Sequence, residues 1–333
     1  MLTCPSRTFL THLVLCVVLL RTNWLQSAEN EIPSDFYERV AKACVEILVD
    51  DRLEGSGWIA EDTGIVVTAA HVVPDPSKRI EVLLPGGARV DANVISSDRG
   101  NDAALLRIPT RAGGYPVLPF AKEIPVAGTP IYLYGTPIQR HGVLLRGVVA
   151  RNDSYFEFYT YMMDYVEVVH VTGVGPPGTS GGPWMNTKGE VIGLNSGVMR
   201  DNGAPAGVGC FSQAKAIQTL LKTKQNAQTA TLRCALEETW QQPHAYLKKL
   251  PPRTEGVVIL KPKADGPLAR AQIMEKEIII AADGKPMRLP NELITFIRSK
   301  KPGDELKLKI FRPDDGTTRE ATVRLDDQEP PRR

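Results

Sequence analysis

The sequence predicts a mainly β protein in which a larger first domain is followed by a small α/β domain. Between residues 44 and 211, short runs rich in β-branched and aromatic residues alternate with Gly, Pro and Asp at regular spacing. This pattern is typical of a sandwich or barrel rather than of βαβ units. A polar stretch at residues 222–231 precedes a second set of strands and helices. A length of 333 residues agrees with about two domains.

The order of the elements sets the predicted boundaries. The first convincing helix follows Ser212, the expected N-cap, and carries Ile217, Leu220 and Leu221 on one face. The second domain should contain strands at 256–260 and 277–281, helices at 266–273 and 292–298, and a terminal hairpin turned at residues 315–316. Asn291 is the expected cap of the last helix. We therefore predict a signal peptide at 1–28, a first domain at 35–225, a linker at 226–231, a second domain at 232–326 and a disordered tail at 327–333.

The N-terminus has the pattern of a secretory signal peptide. Arg7 precedes an apolar run at residues 9–20, which is shorter than the roughly 20 residues that a membrane-spanning helix needs. Cleavage is expected near Ser27 or Ala28. The mature chain is therefore predicted to be periplasmic or secreted, and an uncleaved N-terminal membrane anchor is the alternative.

Charge and cysteine content exclude several classes of function. The formal net charge is +2, and removal of Arg7 and Arg21 with the signal peptide brings it to zero. Nucleic-acid binding thus has no electrostatic support. Cys44, Cys210 and Cys234 would remain, none in a short CxxC. They predict neither a disulfide framework nor a zinc site, and we expect buried thiols, although one pair could form in an oxidising compartment. No metal or organic cofactor is implied.

Three polar residues in glycine- and alanine-rich surroundings predict nucleophilic catalysis. Ser180 lies within GTSGGP at residues 178–183, His71 ends TAAH at 68–71, and Asp102 lies in NDAALL at 101–106. A glycine cluster indicates a tight loop that can present a hydroxyl and aim backbone N–H groups at one point. A serine needs a base near pKa 7, usually histidine, and a buried carboxylate orients the imidazole.

Two alternatives compete with this interpretation of the motifs. His170 lies closer to Ser180 in sequence, but it is part of an alternating strand and is more typical of a packed or exposed strand residue. The pattern at 178–182 also fits the G-x-S-x-G elbow of α/β-hydrolases. In that fold Asp and His follow the serine, whereas only His244 follows Ser180 here.

In sequence order, the motifs GSGWI at 55–59, TAAHVV at 68–73, NDAAL at 101–105 and GTSGGP at 178–183 resemble those of the HtrA/Deg family of trypsin-like serine proteases. The resemblance spans residues 35–326. It implies a trypsin-like protease domain with two six-stranded β-barrels, followed by a PDZ-like domain. It also implies a His71–Asp102–Ser180 triad, an oxyanion hole formed by the N–H groups of Gly178 and Ser180 in a loop shaped by Thr179, and a homotrimer that degrades unfolded or damaged proteins.

The resemblance extends to substrate selection and control. It places Val174, Asn195, Ser196 and Gly197 in the S1 pocket. Val174 stands where trypsin carries an acidic residue, so apolar P1 residues are expected. Digestive-type proteases carry an aspartate just before the serine, which Thr179 replaces, so activation by ordering of loops is expected instead. The aromatic segment 155–161 is either a regulatory or subunit-contact loop or ordinary hairpin packing.

The PDZ-like domain departs from its family at the expected peptide-binding segment. A PDZ domain captures a peptide C-terminus by strand addition and by backbone N–H groups of a glycine-containing loop. Here the segment reads Leu232, Arg233, Cys234 and Ala235, without glycine. It could bind a peptide, or form a docking or trimer-regulating module that binds internal hydrophobic segments or nothing. The alternative function for the whole chain is a protease-like chaperone or scaffold with little activity.

Overall fold

A computed structural model describes residues 32–75, 77–151, 153–173, 175–201 and 203–328. The predicted signal peptide, Val174 and residues 329–333 lie outside the described residues. Of the segment expected to be a disordered tail, Asp327 and Gln328 are described, and Asp327 belongs to a short strand pair.

The first barrel closes through six antiparallel strands in the order β1-β2-β3-β6-β5-β4. Branched apolar side chains such as Ile47, Val66 and Leu106 fill its interior and are fully buried, as period-two patterning of a barrel requires. The strands are β1 (Cys44–Val49), β2 (Arg52–Glu61), β3 (Ile65–Ala69), β4 (Ile80–Leu83), β5 (Arg89–Asp98) and β6 (Ala103–Arg107).

The second barrel also closes through six strands, because β13 pairs with both β12 and β10. Its core contains Ile131, Val171, Trp184 and Phe211. The strands are β7 (Pro130–Gly135), β8 (Val143–Val149), β9 (Tyr155–Tyr159), β10 (Asp164–Thr172), β11 (Pro183–Met185), β12 (Val191–Asp201) and β13 (Ala204–Gln213). The seventh strand, β9, extends β10 beyond the barrel as a hairpin. The prediction of two six-stranded barrels is confirmed.

Helix positions differ in detail from the prediction. An unpredicted helix, α1 (Phe36–Ala43), buries Phe36, Val40 and Ala43 on one face. The next helix, α2 (Ala214–Thr223), begins after Gln213 and buries Ile217 and Leu220 as expected. Ser212 is not its cap, because this residue is buried in β13 and pairs with Leu194.

The second domain contains a six-stranded antiparallel sheet, a separate two-stranded pair and short helices. Its strands are β14 (Ala230–Thr231), β15 (Ala235–Glu238), β16 (Val257–Leu260), β17 (Ile278–Ala282), β18 (Lys285–Pro286), β19 (Glu305–Arg312), β20 (Thr317–Arg324) and β21 (Asp326–Asp327). Its helices are α3 (His244–Leu247), α4 (Pro267–Arg270) and α5 (Pro290–Arg298). The α4 helix is shorter than predicted. Helix α5 follows Leu289, so Asn291 is not its cap.

The β9–β10 hairpin joins the two domains. The core of the second domain includes Phe156 and Tyr165 from the hairpin, and Phe158 packs against it. Asn291 accepts a hydrogen bond from the N–H of Phe156 at 3.1 Å. The second domain is therefore packed onto the strand pair that also reaches the cleft described below.

Candidate active site

His71 and Asp102 meet because two paired strands end side by side. In the register of β3 and β6, Ala69 lies opposite Ala103. His71 follows the first of these alanines and Asp102 precedes the second. The carbonyl of Asp102 also accepts the N–H of Ala70 at 3.0 Å. The first barrel thus supplies both residues at one rim.

The carboxylate of Asp102 is fully buried and accepts three hydrogen bonds. Its Oδ1 accepts the backbone N–H of His71 at 3.0 Å, and its Oδ2 lies 2.8 Å from His71 Nδ1. The hydroxyl of Ser196 donates to the same Oδ2 at 2.5 Å. The contact between His71 Nδ1 and Asp102 Oδ2 fixes the imidazole ring and directs the Nδ1 proton toward Asp102. Nε2 is therefore the basic nitrogen.

The environment of His71 favours its protonated form. Burial opposes the charge and lowers the pKa, but the negative charge of Asp102 and its hydrogen bond outweigh burial, so the pKa of His71 lies above its ordinary value. Stabilising an imidazolium is what a general base needs once it has taken a proton.

Ser180 comes from the second barrel and faces His71 across a cleft of about 510 Å³ that both residues line. Its carbonyl accepts the N–H of Ser56 at 2.8 Å, and the next N–H, of Gly181, donates to Asn195 at 2.8 Å. Across the described ranges, no hydrogen bond joins the Ser180 hydroxyl to His71. Such contacts are often long before substrate binds.

The loop before Ser180 leaves two N–H groups unused. Thr179 N–H donates to the carbonyl of Pro176 at 3.1 Å, closing a turn in which Gly178 has φ of 98°. Pro177 at the second position and a glycine with positive φ at the third are the residues that a type II turn favours. In the part of the chain that the structure describes, the N–H groups of Gly178 and Ser180 have no acceptor.

The direction of the Gly178 N–H follows from its planar peptide. The Pro177 carbonyl accepts the N–H of Ile138 at 2.7 Å. The N–H of the same trans peptide points the opposite way, away from Ile138. The arrangement can therefore offer donors to an anionic oxygen bound near Ser180.

The residues expected in the S1 pocket divide into three groups. Gly197 lines the cleft, and Ser196 lines it while bound to Asp102. Asn195 instead points inward, where its amide donates to Thr179 Oγ1 at 3.1 Å and accepts from Trp184 at 3.1 Å. It supports the Ser180 loop rather than the cleft wall. Val174 lies outside the described residues.

Two tyrosines outside the predicted triad motifs line the cleft. Tyr161 packs edge-on against His71, with ring centroids 5.5 Å apart. Tyr159 donates a hydrogen bond to Ser196 at 3.0 Å. Both come from the aromatic segment 155–161. The aromatic run is visible in the sequence, but nothing in its pattern indicates that Tyr161 contacts His71 or that Tyr159 contacts Ser196.

The competing features have other partners. His170 lies 2.8 Å from Glu157 on the neighbouring strand. Cys44, Cys210 and Cys234 are free and buried, and burial raises the pKa of each thiol.

Among the described residues, no group of His, Cys, Asp and Glu could hold a metal ion. Within the same ranges, no helix is long and apolar enough to cross a membrane.

The expected peptide-binding segment of the second domain is buried. Leu232, Arg233, Cys234 and Ala235 have side chains exposed by 9% or less. Arg233 has φ of 55°, a conformation that glycine adopts at lower cost. The neighbouring groove between β15 and α5 is filled by Tyr165.

Comparisons with known proteins agree with this architecture. A family model described as a trypsin-like peptidase domain matches residues 55–194, and a PDZ domain model matches residues 237–325. A probable periplasmic serine endoprotease DegP-like of Brucella suis is 26% identical over 78% of this chain and 50% of its own length. The putative serine protease HhoA of Synechocystis is 26% identical over 78% of this chain and 68% of its own. The chain thus spans about half the length of the DegP-like relatives.

Solved structures show the same fold. The HtrA-type protease AlgW with decapeptide superposes with a TM-score of 0.62 at 19% identity, covering 90% of this chain and 99% of its own. The serine endoprotease from Yersinia pestis superposes with a TM-score of 0.58 at 22% identity, covering 89% of this chain and 99% of its own.

The two family models together define a trypsin-like peptidase domain joined to a C-terminal PDZ domain. Within that class, the chain is similar in sequence to proteins named as DegP-like endoproteases and in fold to HtrA-type proteases.

Proposed function

We propose that the chain is a serine endopeptidase in which His71, Asp102 and Ser180 form the triad. The observation that carries the proposal is the buried Asp102–His71 contact on the same cleft as Ser180. His71 Nε2 would take the Ser180 proton as the hydroxyl attacks a peptide carbonyl, and would return it to the leaving amine. The N–H groups of Gly178 and Ser180 would stabilise the oxyanion.

We propose an apolar P1 preference. Val198, Met199 and Pro177 contribute to the cleft wall. Among the described lining residues, the carboxylate of Glu157 is already paired with His170. A P1 Lys or Arg would therefore lack a free buried counter-charge.

The substrates we propose are unfolded or damaged proteins in an extracytoplasmic compartment. Support comes from the pattern of residues 1–28 and from relatives named as periplasmic endoproteases. Sequencing the N-terminus of the protein recovered from the periplasm or medium tests cleavage near Ser27 or Ala28. Recovery of the intact N-terminus in the membrane fraction would favour the anchor.

Two proposals about partners rest mainly on the resemblance. The first is a homotrimer, which light scattering of the mature protein tests. The second is a peptide ligand at residues 232–235 of the PDZ domain, supported by the PDZ match and by the peptide named with AlgW. Since Tyr165 fills the adjacent groove, a ligand would have to displace it.

The experiment compares the mature protein with Ser180→Ala on an unfolded, disulfide-free protein, with cut sites mapped by mass spectrometry. Cleavage by the wild type alone, after small aliphatic residues, would support both the nucleophile and the pocket. Cleavage after Lys or Arg would contradict the pocket but keep the triad.

The second candidate is a binding scaffold with a nearly silent triad. It is favoured by Tyr161, which lines the cleft and packs edge-on against His71. Labelling of Ser180 by a fluorophosphonate separates the two functions. No labelling and no cleavage, even with added PDZ peptides, would favour the scaffold.

A further inference from the structure

Tyr159 is the last residue of β9, and its side chain reaches the back of the triad. Its hydroxyl donates to Ser196 Oγ at 3.0 Å. A Cβ on the next residue, Gly197, would lie 2.9 Å from the same hydroxyl. The absence of a side chain at position 197 is therefore what leaves room for the phenol.

The direction of these hydrogen bonds follows from the number of protons. An ionised carboxylate can only accept, and a serine hydroxyl has one proton to donate. Ser196 gives that proton to Asp102 Oδ2 at 2.5 Å. The Tyr159–Ser196 bond must then use the phenol proton, so the chain of donors runs from Tyr159 through Ser196 to Asp102.

The phenol keeps its proton in this environment. Burial, together with the nearby Cys210, Tyr161 and Asp102, raises the pKa of Tyr159 far above its ordinary value. The phenol is therefore available as a donor at neutral pH.

We infer that Tyr159 is a positioning residue for the triad. Its hydroxyl holds Ser196 in the rotamer that donates to Asp102, and the Ser196 contact in turn fixes the carboxylate against His71. The inference builds on the proposed peptidase function. It adds a residue from the β9–β10 hairpin, whose Phe156, Phe158 and Tyr165 pack against the PDZ domain.

A packing role is the competing explanation. The ring of Tyr159 packs against a small apolar cluster of Met162, Val166, Val168 and Cys210. Tyr159→Phe keeps the ring and removes only the hydroxyl, so it separates the two roles. The hydroxyl also hydrogen-bonds the Cys210 thiol, and that contact is present in the Ser196→Ala background as well, so a double-mutant cycle cancels its loss. Tyr155→Phe is the matched control, because it lies on the same strand and its hydroxyl has no hydrogen-bond partner among the described residues.

The test is a double-mutant cycle on the full mature chain with Tyr159→Phe, Ser196→Ala and both together. We expect Tyr159→Phe to lower kcat by about 3- to 10-fold, the effect of one lost hydrogen bond, with KM unchanged. In the Ser196→Ala background, the same change should lower kcat by less than about twofold, since the hydrogen bond between Tyr159 and Ser196 is already absent. Equal losses in both backgrounds, or none in the wild type, would overturn the inference.

A readout independent of turnover accompanies the cycle. The low-field NMR signal of the His71 Nδ1 proton reports its hydrogen bond to Asp102. It should shift in Tyr159→Phe and remain at the wild-type position in Tyr155→Phe. An unchanged signal in Tyr159→Phe contradicts the positioning role even if the wild type proves inactive, whereas an inactive wild type with a shifted signal contradicts only the peptidase function.

Discussion

The hydroxyl of Tyr165, in the protease domain, makes two hydrogen bonds to the backbone of Leu236, in the PDZ domain. It accepts the Leu236 N–H at 2.8 Å and donates to the Leu236 carbonyl at 3.2 Å. Leu236 belongs to β15, the edge strand of its sheet. Peptides that bind PDZ domains pair with such an edge. One side chain of the same molecule therefore uses backbone groups that a ligand would need.

Replacing Tyr165 should expose the groove. Only about 10 Å³ of space remains beside Leu236, Ile294 and Ile297. A peptide that must displace Tyr165 can bind only those molecules in which this side chain has left the groove. Its apparent Kd is the intrinsic Kd divided by the fraction of such molecules. We expect Tyr165→Ala to bind a hydrophobic C-terminal peptide at least ~10-fold more tightly than the wild type, measured by fluorescence anisotropy.

Tyr246→Phe is the control for this prediction, since its hydroxyl bonds to Lys276 within the PDZ domain. It should leave peptide affinity unchanged. Equal affinities of the wild type and Tyr165→Ala would show that the groove does not take up peptides.

Gly178→Ala should disable the oxyanion donors while preserving the fold. A Cβ at this position would lie 2.2 Å from the carbonyl oxygen of Thr136, so the loop must move. Loss of one donor costs about 10²–10³ in kcat. Gly86→Ala is matched, because Gly86 has φ of 92° with nothing within 4 Å of its Cβ position. Kinetics with a peptide substrate, together with thermal unfolding, should show normal kcat for Gly86→Ala alone. Similar kcat in both variants would remove Gly178 from the oxyanion hole.

The pH dependence of kcat/KM should report the raised pKa of His71. The base acts only when neutral, so activity should rise with pH through an inflection above the ordinary histidine value of about 6.5. In Asp102→Asn the attracting charge is lost. The inflection should fall, and kcat should drop by about 10⁴. An inflection that stays in place in this variant would mean that Asp102 does not set the pKa.

The same shift affects folding stability with a defined sign. Because the folded pKa of His71 is raised, protonation of this residue stabilises the native state at low pH. That contribution is fully present below the unfolded pKa and is lost as the pH rises through the folded one.

Arg298 should be a main determinant of contact between the domains. It is part of α5, is partly buried, and donates to the Tyr165 carbonyl at 2.7 Å. Burial lowers its pKa, and Asp164 and Asp98 oppose this. A hydrogen bond from a charged group contributes about 1.5–3 kcal/mol. Arg298→Met should therefore lower the free energy of unfolding by about 2 kcal/mol in urea titrations.

Arg288→Met provides the comparison for this change. Its ion pair with Glu255 is exposed, and such pairs contribute little. If both methionine variants unfold at the same urea concentration, the Arg298 contacts do not stabilise the chain.

The sequence predicted those elements whose structure is determined by residues close to one another in the chain. The terminal hairpin lies where its alternation and the turn at Asp315 and Gly316 place it, and alternate residues of β19 are buried. The motif of the proposed nucleophile could be predicted because glycine is needed where the backbone passes close to another group, as Gly178 does beside the Thr136 carbonyl.

What the sequence could not predict depends on distant partners. Asn291 has the residue type of a helix cap, but its side chain binds the backbone of Phe156 in the other domain. Asn195 was expected in the cleft wall. An irregularity in the β12–β13 register between Asn195 and Gly197 breaks the strand alternation on which that expectation depended.

The short pairing of Ala230–Thr231 with Asp326–Asp327 has a mechanical consequence. Because the two strands are paired, the chain enters and leaves the PDZ domain at the same place. A force that pulls the two ends of this domain apart would break the hydrogen bonds of this strand pair one after another before it acted on the sheet. Gln328, the last described residue, lies at this junction, where its N–H donates to the Thr229 carbonyl at 3.0 Å.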